Sequence, residues 1–288
     1  MNKYRIPRLR TGSTSYLLHD SYVPAVRFTA ERCDDVSLLL LETGPDMSWL
    51  PSPKEVAEMA AILDGEGATI HVHMPTDFFF DTKADAKKIV SKARHIIDLT
   101  APLAPHSFVI HVDFLSQRDC LTKPPAKAIS QEQVLYTRDA LTDIASYLPS
   151  PDMLCVENLE GYPVSFWDCW LEESPFSRCL DIGHIWKDCG DPIPVLSDWE
   201  SRLRVIHLHG LKKTEGVDAS GHSAVYCRDH KSLVLMPEKD IDLVMHPLWE
   251  QGFEGTLVLE VFSTEDFLSS HATLLSSWDR YCSRKEAS

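Results

Sequence analysis

Short apolar runs alternate along the chain with longer stretches whose apolar residues recur at helical spacing. The runs at 36–42, 68–73, 107–113, 153–158, 178–181, 204–209 and 256–262 have largely hydrophobic interiors, as strands covered on both faces do. Residues 10–16, small and β-prone, make an eighth strand. The first two helical segments fall at 22–31 and after Ser52. Ser52, Pro53 and Glu55 form a capping box there, Val56, Met59, Ala60 and Leu63 make the apolar stripe, and Gly65 ends the helix. A third helix carries Ala86, Ile89, Val90, Ala93 and Ile97. A fourth is opened by Ser130 and Gln133 and lined by Val134, Leu141, Ile144 and Leu148. Residues 164–172, 238–249 and 264–281 supply the rest. Eight strands alternating with helices in 288 residues predict an α/β fold, a single-domain (β/α)8 barrel over 1–288 with 1–8 as a loose arm. The longest connections, about 114–129 and 211–237, each follow a strand and so belong to the face where such barrels carry their sites.

Most of the strands end in metal-ligand types. His71-Val72-His73, Val109-Ile110-His111, Cys155-Val156-Glu157, Val205-Ile206-His207 and Leu257-Val258-Leu259-Glu260 each finish in an imidazole or a carboxylate. Leu180-Asp181-Ile182-Gly183-His184 sets a carboxylate and an imidazole around a glycine turn. Taken singly, each has an ordinary alternative. A strand-end histidine is commonly structural, Glu157 and Glu260 could pair within the barrel mouth, and Asp181 could cap the next turn. Taken together, His73, His111, Glu157, Asp181, His184, His207 and Glu260 ring one end of the predicted barrel. A carboxylate after an apolar strand is costly without a partner. Mixed imidazoles and carboxylates suit Zn, Mn or Fe and need no thiolate. Of the two histidines on strand three, His73 stands nearer the loop and is the expected ligand. The roles of His71, His209 and the 211–237 loop are left open, and Asp229-His230 alone reads as a solvated loop pair.

Hydrophobic content of 44% and charged content of 25% are ordinary for a globular chain able to bury a large core. The formal net charge of −15 argues against a nucleic-acid groove, which needs a basic stripe. Eight cysteines, none in a CxxC pair, read as reduced thiols and a cytoplasmic location. No stretch nears the roughly 20 apolar residues of a membrane span, and no apolar run follows the N-terminus.

The order His, His, Glu, Asp-x-x-His, His, Asp/His, Glu along successive strand ends resembles the endonuclease IV and xylose-isomerase-like barrel superfamily, over essentially the whole chain. In its endonuclease branch the resemblance implies three metals. His73, His111 and Glu157 match the first. Glu157 bridges to the second, completed by Asp181, His207 and Glu260. His184, Asp229 and His230 match the third. The chain departs from that pattern in having Asp229 and His230 adjacent, and in His207-Leu208-His209-Gly210, where an acid usually follows the strand. More narrowly, Thr100-Ala101-Pro102-Leu103, Cys155-Val156-Glu157-Asn158-Leu159, Leu180-Asp181-Ile182-Gly183-His184, Ile206-His207-Leu208-His209-Gly210 and Asp229-His230 resemble the cobamide-remodelling phosphodiesterase family.

That resemblance implies a metal-dependent phosphodiester hydrolase acting on the nucleotide loop of cobamides. Its cofactor is one to three divalent ions, Zn first and Mn or Fe as alternatives, and Glu157, Asp181 and Glu260 are its catalytic carboxylates. Bound metals would turn the pocket cationic, polarise phosphoryl oxygens and activate a water. The partner expected is a small molecule, a cobamide or a sugar phosphate, with no nucleic acid and no membrane. A second reading is a sugar or sugar-phosphate isomerase or epimerase. It uses one divalent metal at Glu157, Asp181, His207 and Glu260, with the glutamates shuttling protons. A third is a non-catalytic binding barrel. Phe78-Phe79-Phe80, Trp186 and Tyr226 could form an apolar platform for a ring, or simply pack.

Overall fold

The computed structural model describes residues 3–115, 129–217, 220 and 222–287, so most of the connection expected at 114–129 lies outside the described residues. Eight parallel strands close into a barrel: β1 Arg10–Thr14, β2 Asp35–Leu39, β3 Thr69–His73, β4 Phe108–His111, β5 Leu154–Glu157, β6 Ser177–Asp181, β7 Leu203–Leu208 and β10 Thr256–Leu259. Their order around the barrel is β1-β10-β7-β6-β5-β4-β3-β2. The helices are α1 Tyr22–Ala30, α2 Pro53–Glu66, α3 Lys83–Thr100, α4 Gln131–Ala145, α5 Asp168–Leu171, α6 Ile182–Lys187, α7 Pro192–Trp199, α8 Glu238–Gln251 and α9 Thr264–Glu286. The expected (β/α)8 barrel is the observed one.

Local chemistry sets the helix limits. Ser52 Oγ accepts from Glu55 N at 3.3 Å while Glu55 Oε2 accepts from Ser52 N at 2.7 Å, so both halves of the capping box form. Ser130 and Gln133 repeat it at α4. α2 runs past Gly65 and stops at Gly67, whose φ of +58° is the left-handed conformation a helix end asks of glycine.

Period-two alternation sorts each strand. One set of side chains faces the helices. Ile110, Val156, Leu180, Ile206, Leu257 and Leu259 all lie buried in that outer layer, each worth about 1.5–3 kcal/mol when fully covered. The other set fills the barrel: Val109, Cys155, Cys179, Val205 and Val258 form a small apolar cluster of their own. Two residues further along the same five strands come His111, Glu157, Asp181, His207 and Glu260. The apolar cluster is therefore the floor beneath the donors.

Two expectations change. Residues 3–8 lie against the barrel rather than forming a loose arm: Ile6 is buried, Tyr4 packs edge-on against Phe267, and Trp249 Nε1 donates to Pro7 O at 3.0 Å. The 211–237 connection contains an antiparallel hairpin, β8 Gly210–Val217 with β9 Ser223–Lys231. Of the two readings of the Phe78-Phe79-Phe80 run, packing holds for Phe78 and Phe80, which are fully buried. Trp186 packs partly buried on the core, and Tyr226 stands exposed on the hairpin. No helix among the described residues is long and apolar enough to cross a membrane.

Candidate metal centre

At the C-terminal mouth four groups from neighbouring strands meet at one nitrogen. His207 Nδ1 lies 3.0 Å from Glu157 Oε1, 3.2 Å from Glu260 Oε2 and 3.9 Å from Asp181 Oδ2. All four side chains are at most 5% exposed. Strand pairing puts them there, since His207 pairs with Asp181 on one side and with Val258 on the other. Burial alone would raise the Glu157 and Glu260 carboxyls. His207 and His111 outweigh it at Glu157, as His207 and His230 do at Glu260, and both carboxyls sit well below their ordinary range. Burial would lower the His207 imidazole, but the Glu260 and Glu157 carboxylates beside it carry it above its ordinary value.

Asp181 Oδ2 and Glu260 Oε2 are buried and lack a hydrogen bond. Acceptors so placed are unusual in a folded interior. Three carboxylates and one imidazole fit a divalent cation in donor type, number and buried setting. Asp181 also caps α6, accepting from His184 N at 2.6 Å through Oδ1. The capping and donor readings of Asp181 therefore both hold, one at each oxygen.

Two further imidazoles share the other Glu157 oxygen. Glu157 Oε2 lies 3.2 Å from His73 Nε2 and 3.1 Å from His111 Nε2. His73 Nδ1 donates to Met74 O at 2.9 Å, so its ring is oriented from behind. On the far side, His184, His209 and His230 bring one nitrogen each within 4.8 Å of the others. His184 Nδ1 donates to Asn158 O at 3.1 Å, and Asp181 and Glu160 overcome its burial to push its pKa up to about 9. His230 adopts a left-handed φ of +50°, stacks on Phe262 and turns Nδ1 toward Glu260 O at 3.2 Å.

Asp229, grouped with His184 and His230 by the resemblance, pairs its carboxylate with Lys187 instead. The imidazole that joins those two histidines is His209, buried, with Nε2 3.3 Å from Asp181 Oδ1. Gly183 makes room for it: a Cβ there would lie 2.1 Å from His209 Cε1. His71, whose role was open, faces the barrel interior one layer below His73. Its Nδ1 contacts the buried Asp35 Oδ2 at 2.6 Å, and His106 Nε2 contacts Asp35 Oδ1 at 2.8 Å. A cavity of about 260 Å³ opens over the centre, walled by His73, His111, Glu157, His184, His230 and Glu260.

Solved structures of the same fold cover this chain from end to end. A D-tagatose 3-epimerase-like protein is 16% identical with a TM-score of 0.73, over 96% of this chain and 99% of its own. An L-ribulose 3-epimerase is 14% identical with a TM-score of 0.67, over 97% of both chains. A D-allulose 3-epimerase from Methylomonas sp., in complex with D-allulose, is 16% identical with a TM-score of 0.61, over 92% and 88%. No curated protein matches the chain in sequence. The expectation of a cobamide phosphodiesterase is corrected by these comparisons, in which the similar structures are described as sugar 3-epimerases or as epimerase-like. A family model described as xylose isomerase-like TIM barrel matches residues 33–278, and the chain belongs to that family.

Proposed function

We infer that the protein is a sugar isomerase or epimerase using one divalent metal ion held by Glu157, Asp181, His207 and Glu260. The observation that carries this reading is the convergence of three buried carboxylates on His207 Nδ1. The same fold in proteins described as 3-epimerases of tagatose, ribulose and allulose supports it. The bound ion would polarise a sugar carbonyl and so acidify the carbon beside it.

The chain's own residues do the proton work. Glu157 and Glu260 stand on opposite sides of His207, and both favour the ionised form, as a general base must. One takes the proton from the carbon next to the carbonyl. The other carboxylate, once it has taken up a proton from solvent, delivers it to the opposite face and inverts that carbon, and exchange with solvent resets the pair. Return by the same carboxylate to the neighbouring carbon moves the carbonyl instead. His184, on the cavity wall, is held at both nitrogens, Nδ1 by Asn158 O and Nε2 3.3 Å from Glu160 Oε2, so that carboxylate fixes the ring that faces the substrate. His73 and His111 keep the second Glu157 oxygen engaged and fix the carboxylate plane. Leu39, Leu41 and Leu159 line the same cavity and limit water at the reacting carbon.

The test is metal counting with a ketose panel. Purified protein should hold about one Zn, Mn or Fe per chain by elemental analysis, and His207→Ala should remove it. Metal-loaded protein should interconvert a ketose with its 3-epimer or its aldose. Full metal occupancy with no turnover of any ketose, ketose phosphate or keto-glycoside would defeat the reading.

A further inference from the structure

A second cavity, of about 370 Å³, lies beside the metal site, and Leu39 and Leu41 line both. Its other walls are Tyr16, just past β1, Tyr22 and Ala25 of α1, and Trp49 of the β2–α2 connection. Three of its polar side chains are already engaged. Tyr22 Oη donates to Trp49 O at 2.8 Å, Ser15 Oγ accepts from Leu39 N at 3.1 Å, and Ser21 donates to Asp20 Oδ1. The surface left is aromatic and aliphatic. It suits a ring face rather than a set of hydroxyls. Asp20 and Glu42, exposed at the rim, disfavour an anion there.

Trp49 is held in place at a conformational cost. The β2–α2 connection carries Gly44, Asp46 and Met47 at φ of +70°, +51° and +58°. Two of these are not glycine, and positive φ is uncommon for such residues. Backbone outliers cluster where function holds a group in position. The indole covers Gly44 so closely that a Cβ there would lie 2.4 Å from Trp49 Cδ2. Thr43 anchors the loop through Asp77 Oδ2 at 3.0 Å and Lys92 Nζ at 2.8 Å. Yet Trp49 is 55% exposed and Leu41 39%. A strained loop thus presents an uncovered indole at the mouth of an apolar cavity that shares a wall with the metal site.

We propose that the substrate is a sugar glycoside bearing an aromatic or other apolar ring, with the sugar over the metal centre and the ring against Trp49, Tyr16 and Tyr22. This rests on the sugar reading of the site and adds what the sugar carries. It also constrains the sugar. In a glycoside the anomeric carbon is locked as an acetal, so the carbonyl must lie at another ring carbon. A reaction that oxidises a ring hydroxyl of the glycoside must therefore supply the substrate.

Two unreactive probes test the inference apart from turnover. Metal-loaded protein is titrated calorimetrically with phenyl β-D-glucopyranoside and with methyl β-D-glucopyranoside. The phenyl compound should bind at least about tenfold more tightly, a difference of roughly 1.4 kcal/mol. Trp49→Ala and Leu41→Glu, each checked for an unchanged circular dichroism spectrum, should bring the ratio close to one. Equal affinities in the wild type, or a ratio that both variants leave unchanged, would overturn the glycoside. If the methyl compound and free ketoses bind as well as the phenyl one, only this inference falls. If neither glycoside nor any ketose binds, the sugar reading falls with it.

Discussion

Gly183 shows how much of the centre hangs on one missing side chain. With a Cβ only 2.1 Å from His209 Cε1, Gly183→Ala must push that ring, and His209 Nε2 lies 3.3 Å from Asp181 Oδ1. Displacing a donor by even 1 Å can cost on the order of a hundredfold in rate. Gly183→Ala is accordingly expected to lower kcat/KM for a ketose by about that factor while retaining a cooperative melt, read by steady-state kinetics and circular dichroism. Asp35 makes the complementary case for stability. Burial alone would raise its carboxyl, but His71 and His106 outweigh that and hold it below its ordinary value. A depressed carboxyl stabilises the fold fully above the unfolded value of about 3.9, and the contribution fades as pH falls through the folded value. Asp35→Asn should cost about 3 kcal/mol near neutral pH, as loss of one member of a buried pair does. Denaturant titrations should show the gap from wild type closing as pH drops from about 5 toward 2. Most donors were legible as Val-x-His, Cys-x-Glu, Cys-x-Asp and Val-x-Glu steps along strands, because period two carries an inward floor residue to an inward donor. His209 was not legible as a member of the centre. It shares the inward face with His207, and only the space left by Gly183 shows where its ring goes.

The β8–β9 hairpin is the element that the sequence disclosed least. Its strands are mostly exposed, so they lack the apolar runs that mark the barrel strands. Its place in the centre is nevertheless direct: His230 N donates to His209 Nδ1 at 3.1 Å, and Asp229 ties β9 to Lys187 of α6. That ion pair joins residues 42 apart in sequence, which explains why Asp229 read from sequence as a companion of His230. Gly210 lets the hairpin leave the barrel, since a Cβ there would meet Ser232 O at 2.1 Å. Gly210→Ala should therefore weaken ketose turnover with the barrel still folded, because among the described residues β8 and β9 form a two-stranded sheet separate from the barrel. Loss of the cooperative thermal transition, rather than of activity, would show the hairpin to be part of the barrel's stability. The helices were easier to read. Both Ser-initiated capping boxes form as expected, and α2 differs only in running on to Gly67.

At the scale of the molecule, alternation alone sufficed for the barrel, because eight strands with intervening helices leave few other arrangements. Chemistry was harder, because a ring of acids and imidazoles at a barrel mouth serves several reactions. With a net charge of −15 and a small cavity of about 260 Å³ over the centre, a small substrate fits better than a polymer. The central claim is that Glu157 and Glu260 exchange a proton at the carbon beside a sugar carbonyl. Its most direct test is proton nuclear magnetic resonance of a ketose incubated with metal-loaded protein in deuterium oxide. The account predicts deuterium at that carbon as the epimer forms, and none with Glu157→Gln or Glu260→Gln at full metal occupancy. Unlabelled product, or deuterium incorporation that both variants retain, would contradict it.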